Sequence, residues 1–175
     1  MAAAILPYIP GSYVSKGAKL VGSADDLSDI ARLFSKADNL SDAAKAFISK
    51  SDSIIMSYRE LKKTVKMLGI KGMEAHHLIE KRFANRLGIN ANDLLSVLID
   101  KETHQKITQL FRQKIGYALD LKNPLRTPFA TPQEIWNVTV EVYRALGLEK
   151  YLSALKQQLL DSASKVGDIT DWIID

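Results

Sequence analysis

Cysteine is absent from the chain. Its absence excludes disulfide bonds, thiolate zinc sites and a cysteine nucleophile, so any metal ion must be held by nitrogen and oxygen ligands. Nor does any apolar run approach the roughly 18 residues that a membrane-spanning helix needs. The apolar opening MAAAILPYIPG is short and lacks the basic start of a signal peptide. We therefore expect no membrane association, and we expect any export signal to lie elsewhere.

Charge is unevenly distributed, although the net charge is only +4 in a chain that is 46% apolar, as in a globular protein. Residues 1–58 carry six basic and six acidic side chains, residues 59–126 carry fourteen and seven, and residues 127–175 carry four and seven. The basic segment, residues 59–126, thus has a net charge of +7. Such a segment suits a polyanion, because Lys and Arg displace counterions from phosphates. A solvated basic face is the simpler alternative.

Helical patterns dominate the first part of the chain. PYIPGSYVSKGAKLVGS, residues 7–23, shows no sustained period and is predicted to be a loosely structured lead-in, and an amphipathic helix is predicted to begin at Ser23. A second helix is predicted from about Ser41. A third covers SDSIIMSYRELKKTVKMLG, residues 51–69, and ends at Gly69.

The segment from residue 70 to residue 116 changes character. IKGMEAHHLI and NDLLSVLID are predicted to be extended, EKRFANRLG is predicted to be a short helix ending at Gly88, and KETHQKITQLFRQKIG is an amphipathic helix. Tyr58, Phe83 and Phe111 fall at apolar positions and are predicted to belong to the core. Further on, Thr131, Pro132 and Glu134 form a capping box that predicts a helix start, followed by a second C-terminal helix. The pattern indicates a mainly helical protein with a small β component.

Only three histidines occur in the 175 residues, and two of them are adjacent in EAHHLIEKRF. On a strand, His76 and His77 would point to opposite faces, so the pair does not form a bidentate clamp. The third, His104, lies in the opening turns of the predicted helix 101–116. An extended segment and a helix that each supply an imidazole could hold one divalent ion between them. Incidental surface or half-buried histidines remain the alternative.

EAHHLIEKRF, followed by DLLSVLIDKETHQKITQLFRQKIG, resembles the AHH-type nuclease domains of bacterial polymorphic toxins, which are members of the His-Me finger (HNH, endonuclease VII) superfamily. The resemblance covers about residues 72 to 116, and PYIPGSYVSK is similar to the linkers that precede such domains. It implies a ββα-metal core, built on a small β-hairpin and surrounded by N-terminal and C-terminal helices. It also implies a lead-in and helical region over residues 1–68 and a nuclease domain over residues 69–175.

The resemblance implies a role for each histidine. His77 matches the general base, His76 the first metal ligand, and His104 the ligand from the helix. Thr108 stands where colicin-type relatives place a second helix histidine, which leaves two protein ligands plus water and phosphate oxygens. That set favours Mg²⁺, with Zn²⁺ or Ni²⁺ as alternatives and Asn92 or Asp93 as a conceivable extra ligand.

Charged residues around the motif are further candidates. Glu74 and Glu80 could each orient an imidazole by accepting a hydrogen bond from it. The candidate contacts to nucleic-acid phosphates are Lys81, Arg82, Arg112 and Lys114. The alternative for these side chains is a solvated surface.

The function implied by the resemblance is a metal-dependent endonuclease toxin that hydrolyses nucleic-acid phosphodiester bonds. DNA is favoured over RNA. The implied partners are a delivery protein or larger toxin polypeptide and a cognate immunity protein, and the site of action is the cytoplasm of a competing bacterium. An acidic contact face on the immunity protein would complement the basic segment. The alternatives are an RNase toxin and a non-catalytic helical interaction module with a structural ion.

Overall fold

The computed structural model of the protein describes residues 40–166. Within that range the helices are α1 (Leu40–Ser49), α2 (Tyr58–Leu68), α3 (Lys101–Lys114), α4 (Pro132–Ala145) and α5 (Leu152–Val166). The strands are β1 (Met56–Ser57), β2 (Met73–His77) and β3 (Leu95–Asp100), and short 3-10 helices span Ser51–Ser53, Lys81–Leu87 and Glu149–Tyr151. The predicted lead-in, the toxin-type linker and the helix predicted from Ser23 lie outside the described residues.

The three strands form one antiparallel sheet in the order β1-β3-β2. In its register His76 lies opposite Val97, and His77 lies opposite Ser96. The prediction of a mainly helical protein with a small β component is confirmed. The sheet has one strand more than the expected hairpin, because the short β1 pairs along the other edge of β3.

Helices cover both faces of this sheet. On one face, α3 packs on β2 and β3 through a core that contains Val97, Ile99, Ile107 and Phe111. On the other face, α2 packs through a second apolar cluster that includes Leu61, Leu68 and Leu98. Successive residues of a strand point to opposite faces. Each side chain of β2 therefore points toward either α3 or α2.

Helix α2 begins later than predicted. The helix was expected over the whole of residues 51–69, but it starts at Tyr58. Ser57 is the cap: its Oγ accepts a hydrogen bond from the backbone N–H of Glu60, and its hydroxyl donates to the Glu60 carboxylate at 2.8 Å. A serine three residues before a glutamate is a start signal, and it places β1 directly before the helix. The predicted end is confirmed, because Gly69 adopts a left-handed φ of 63°.

The elements around the histidines largely follow the predictions. Both extended segments are strands. Helix α3 starts at Lys101, directly after Asp100, and the Asp100 carboxylate accepts a hydrogen bond from the backbone N–H of Thr103 at 2.8 Å. The predicted short helix is a 3-10 helix over Lys81–Leu87, which ends at the left-handed Gly88. The capping box of Thr131 and Glu134 is present at the start of α4.

The domain boundary expected between residues 68 and 69 falls between α2 and β2. These two elements contact each other in the second apolar cluster.

None of the helices between residues 40 and 166 has the length and hydrophobicity of a membrane-spanning segment.

Candidate functional site

The two adjacent histidines point to opposite faces of β2. The ring of His76 contacts the ring of His104, which comes from α3. The ring of His77, the last residue of the strand, stacks on Tyr58, the first residue of α2. The alternation of a regular strand therefore assigns each imidazole to a different environment.

His76 and His104 form a close pair at the junction of β2 and α3. Their ring centroids are 4.8 Å apart, and the planes are inclined at 64°. The side chain of His76 is buried, and its Nε2 has no hydrogen-bond partner. Burial and, to a smaller extent, the nearby imidazoles of His104 and His77 together lower the pKa of His76 from 6.5 to about 3. His76 is therefore a neutral imidazole with an unpaired ring nitrogen.

Glu74 holds the other imidazole of this pair. It lies two residues before His76, on the same face of β2, and its carboxylate contacts Nδ1 of His104. An ionised carboxylate only accepts hydrogen bonds, so Nδ1 carries a proton, and Nε2 is the ring nitrogen that is left to bind a ligand. A carboxylate that fixes one ring nitrogen and frees the other is the usual arrangement around metal-binding histidines.

Glu80 borders the same cluster. Its side chain is buried and accepts a hydrogen bond from Nε of Arg82 at 2.5 Å. Burial raises the pKa of Glu80, whereas the charge and hydrogen bond of Arg82, the charge of His104 and a hydrogen bond from Thr108 act in the opposite direction. Thr108, at the position of the missing helix histidine, therefore faces Glu80. Of the two candidate glutamates, Glu74 contacts an imidazole and Glu80 pairs with an arginine.

His77 is fixed on both its face and its edge. Its ring lies 4.0 Å from that of Tyr58 with an interplanar angle of 19°, and its Nε2 is 3.1 Å from the carbonyl oxygen of Ala91. A carbonyl oxygen only accepts, so Nε2 carries the proton and Nδ1 carries the lone pair. Burial lowers the pKa of His77, as does the charge of Lys81, although the hydrogen bond to Ala91 acts in the opposite direction. The result is an imidazole whose orientation is fixed and whose lone pair lies on Nδ1.

The four candidate phosphate contacts differ in environment. Lys81 and Arg112 are exposed, and Arg112 lies beside the ring of Tyr117 at 5.4 Å. Lys114 pairs with Glu141 across α3 and α4 at 2.5 Å. Lys81 and Arg112 thus have the exposure that a contact with a phosphate requires, while Lys114 has a carboxylate partner.

Arg82 is the exception, because its guanidinium is largely engaged inside the protein. Besides the bond to Glu80, its Nη1 donates to the carbonyl oxygens of Ile115 and Gly116, at 2.7 Å and 3.1 Å, and to Oγ1 of Thr127 at 2.8 Å. Its Nη2 is buried without a partner. Arg82 therefore ties the loop after α3 to the segment that follows the histidines.

Sequence reasoning missed two contacts of His77. Phe83 and Phe111 are core residues as predicted, but Tyr58 is only partly buried and stacks on the imidazole. The cap motif at Ser57 could have indicated this position of Tyr58, because it makes Tyr58 the first residue of α2. Ala91 contacts His77 through its backbone carbonyl, and no sequence pattern predicts such a contact.

A divalent ion fits this cluster in part. The unpaired, buried Nε2 of neutral His76 and the Nε2 of His104, whose other ring nitrogen contacts Glu74, are donors of the required chemistry. Within residues 40–166, however, no three side chains from His, Asp and Glu are grouped to hold an ion together. Asn92 and Asp93 lie in the turn that bears Ala91, and Asp93 pairs with Arg59 at 3.0 Å. The protein thus offers two imidazoles, and other ligands would come from solvent or substrate.

Comparisons of this chain with protein-family models, with curated proteins and with solved structures found no match.

Proposed function

We propose that the protein is a metal-dependent endonuclease that hydrolyses nucleic-acid phosphodiester bonds, with DNA as the favoured substrate. The observation that carries the proposal is the buried Nε2 of His76, which has no partner and whose ring lies 4.8 Å from that of His104. A buried polar atom without a hydrogen bond costs about 1–3 kcal/mol. Such an atom persists where a ligand completes it, and a divalent ion is a ligand that two imidazole nitrogens suit.

In this proposal His76 and His104 hold the ion, and Glu74 orients His104. The bound ion would stabilise negative charge that develops on the phosphate during cleavage. Mg²⁺ is proposed because most of its ligands can be water and phosphate oxygens. Zn²⁺ and Ni²⁺ are the alternatives, since imidazole nitrogen suits them well. The core of β2, β3 and α3 would then be the ββα-metal core of a His-Me finger nuclease.

His77 acts as the general base. Its Nδ1 accepts a proton from a water molecule, whose oxygen forms a bond to phosphorus while the bond between phosphorus and the 3′ oxygen breaks. The carbonyl of Ala91 keeps the other proton of the ring on Nε2, and the lowered pKa keeps the imidazole unprotonated at neutral pH. Lys81 and Arg112 are exposed and are proposed to contact the nucleic-acid backbone.

The biological role follows from the resemblance of residues 72–116 to polymorphic toxin nucleases. We propose that the protein is delivered into competing bacteria as part of, or together with, a larger polypeptide, and that it acts in their cytoplasm. A cognate immunity protein would protect the producing cell. The net charge of +7 on residues 59–126 predicts that the contact face of this inhibitor is acidic.

Cleavage of a plasmid and of a structured RNA, each with and without EDTA, tests the proposal. We expect the plasmid to be cut, EDTA to stop the reaction, and one of Mg²⁺, Zn²⁺ or Ni²⁺ to restore it. His104→Ala should remove this activity, whereas Gln105→Ala, at the next and exposed position of α3, should keep it.

Two outcomes would replace the proposal. Cleavage of RNA that continues in EDTA would indicate an RNase that uses the 2′ hydroxyl of its substrate. A protein that cuts neither nucleic acid but loses thermal stability on chelation would be an interaction module with a structural ion.

A further inference from the structure

The carbonyl that orients His77 belongs to a turn, residues 90–94, between the 3-10 helix and β3. Inside the turn, the backbone N–H of Asp93 donates to the Asn90 carbonyl at 2.9 Å, and that of Asn92 donates to the Asn90 side chain at 2.9 Å. The turn therefore fixes the position of the Ala91 carbonyl. Whatever holds the turn in place also holds the imidazole.

Helix α2 holds the turn from one side. The backbone N–H groups of Tyr58 and Arg59 donate to the carbonyls of Leu94 and Asn92, at 2.9 Å and 3.0 Å. Since the ring of Tyr58 also stacks on His77, one helix start fixes both the turn and the face of the imidazole.

Helix α5 holds the turn from a different direction, through one side chain. The backbone N–H of Leu95 donates to Oε1 of Gln158 at 3.1 Å, and Nε2 of Gln158 donates to the carbonyl of Asp93 at 2.8 Å. The amide thus bonds to the backbone on both sides of Leu94. A shift of the turn by about 1 Å would stretch both hydrogen bonds beyond useful length.

We propose that Gln158 is a positioning residue for His77: it acts through the turn 90–94 to place the Ala91 carbonyl, and so keeps the proton of His77 on Nε2 and the lone pair on Nδ1. The catalytic consequence rests on the proposed function, because only a base needs that tautomer. This gives the C-terminal helix a part in the site, 81 positions along the sequence from the imidazole it affects.

Apolar packing also anchors α5. Ala154, Leu155 and Leu159 of α5 are buried in the main core and keep the helix in place. Gln158→Met retains most of the side-chain length and volume while it removes both hydrogen bonds, so we expect a folded protein. Gln158→Glu is a second variant, which keeps an acceptor for Leu95 but loses the donor to Asp93.

Gln157→Met is the matched control. It makes the same chemical change at the neighbouring position, where the glutamine is exposed and donates to Asp161 of its own helix at 2.8 Å. Two readouts are needed: the ring ¹⁵N shifts of His77, which report the tautomer, and kcat and KM for nucleic-acid cleavage.

We expect the wild type and Gln157→Met to show the proton on Nε2. In Gln158→Met the Nδ1–H form should become populated and kcat should fall roughly tenfold or more, with KM unchanged, because the substrate contacts are untouched. Gln158→Glu should shift the tautomer in the same direction. If Gln158→Met does not fold, the tautomer and kcat of Gln158→Glu test the positioning role.

An unchanged tautomer and an unchanged kcat in the folded Gln158 variants would overturn the inference. Failure of the proposed function would look different. In that case the wild type would cut no nucleic acid, while the shift of tautomer in Gln158→Met would still demonstrate the positioning role.

Discussion

The two faces of β2 differ in how completely their polar groups are satisfied. On the α3 face, Glu74 and His76 take part in a cluster of imidazoles and carboxylates in which one ring nitrogen has no partner. On the α2 face, His77 is the polar residue among Met73 and Ala75, and its ring is fixed by a stack and a hydrogen bond. One face leaves a buried ring nitrogen without a partner, while the other fixes an imidazole through its ring face and its Nε2. In the proposed function these two groups are the metal ligand and the general base. Adjacent histidines can therefore perform different tasks because the strand separates them.

Loss of the oriented imidazole should have the largest effect. His77→Ala removes the base but none of the groups on the α3 face, so we expect cleavage to fall by a factor of about 10²–10⁴ while the protein stays folded. Initial rates of plasmid nicking measure the loss, and circular dichroism checks the fold. A variant that cuts at the wild-type rate would end the assignment of His77 and, with it, the contrast between the faces.

Ion binding should depend on the α3 face alone. At a concentration 100 times Kd, an ion that binds only the folded state stabilises it by about 2.7 kcal/mol. We expect thermal shift measurements to show this stabilisation in the wild type and in His77→Ala. It should disappear in His76→Ala and in His104→Ala. Equal shifts in all four proteins would place the ion elsewhere.

Acid should destabilise the protein through His76. Burial holds the pKa of His76 at about 3, below the ordinary 6.5, so between these values the unfolded chain binds a proton that the folded protein does not. The stability that unprotonated His76 contributes is therefore fully present above pH 6.5 and is lost as the pH falls toward 3. In EDTA, we expect the free energy of unfolding to drop by up to about 2 kcal/mol from pH 7 to pH 5, as measured by urea denaturation.

His76→Asn is the comparison that isolates this effect, because it leaves the other titrating groups in place. His77, whose pKa is also lowered, adds to the loss in acid, and Glu80, whose pKa is raised, acts in the opposite sense above its ordinary value. The variant should lose less stability than the wild type over the same interval. If the free energy of unfolding falls equally in the wild type and in His76→Asn, protonation of His76 does not destabilise the folded protein.

The stack on His77 should have the smallest effect. An aromatic pair contributes about 0.5–1.5 kcal/mol beyond its buried area, so Tyr58→Leu should lower kcat by up to roughly tenfold. Tyr58→Phe keeps the ring and should retain nearly wild-type kcat. If both variants lose activity to the same extent in a cleavage assay, the tyrosine hydroxyl is the relevant group, and if both keep wild-type activity, the stack does not contribute.

Local sequence patterns predicted most of the elements around the site. The strands 73–77 and 95–100, the helix after Asp100 and the capping box at Thr131 each depend on residues within a few positions of one another, and each is found. The exceptions are also local. The apolar spacing of Ile54 and Ile55 predicts an earlier start for α2, but the cap at Ser57 starts the helix at Tyr58.

Partners from distant parts of the chain could not be predicted. Glu74 and His104 are 30 residues apart, and Arg82 reaches carbonyls 33 and 34 residues away. No periodicity connects such positions, since the contact arises only when β2, β3 and α3 pack together. For this reason Arg82 was expected to face nucleic acid, whereas it bonds to the loop after α3.

By itself, the sequence determined that no thiolate takes part, that the three histidines lie within a basic segment, and that two of them alternate along an extended stretch. It did so because composition and strand period are properties of neighbouring residues. Only the tertiary structure decided which nitrogen of His76 lacks a partner, which carbonyl orients His77, and that Gln158 of the last described helix supports that carbonyl. Those features come from side chains that meet by packing, and their positions in space follow from the whole fold.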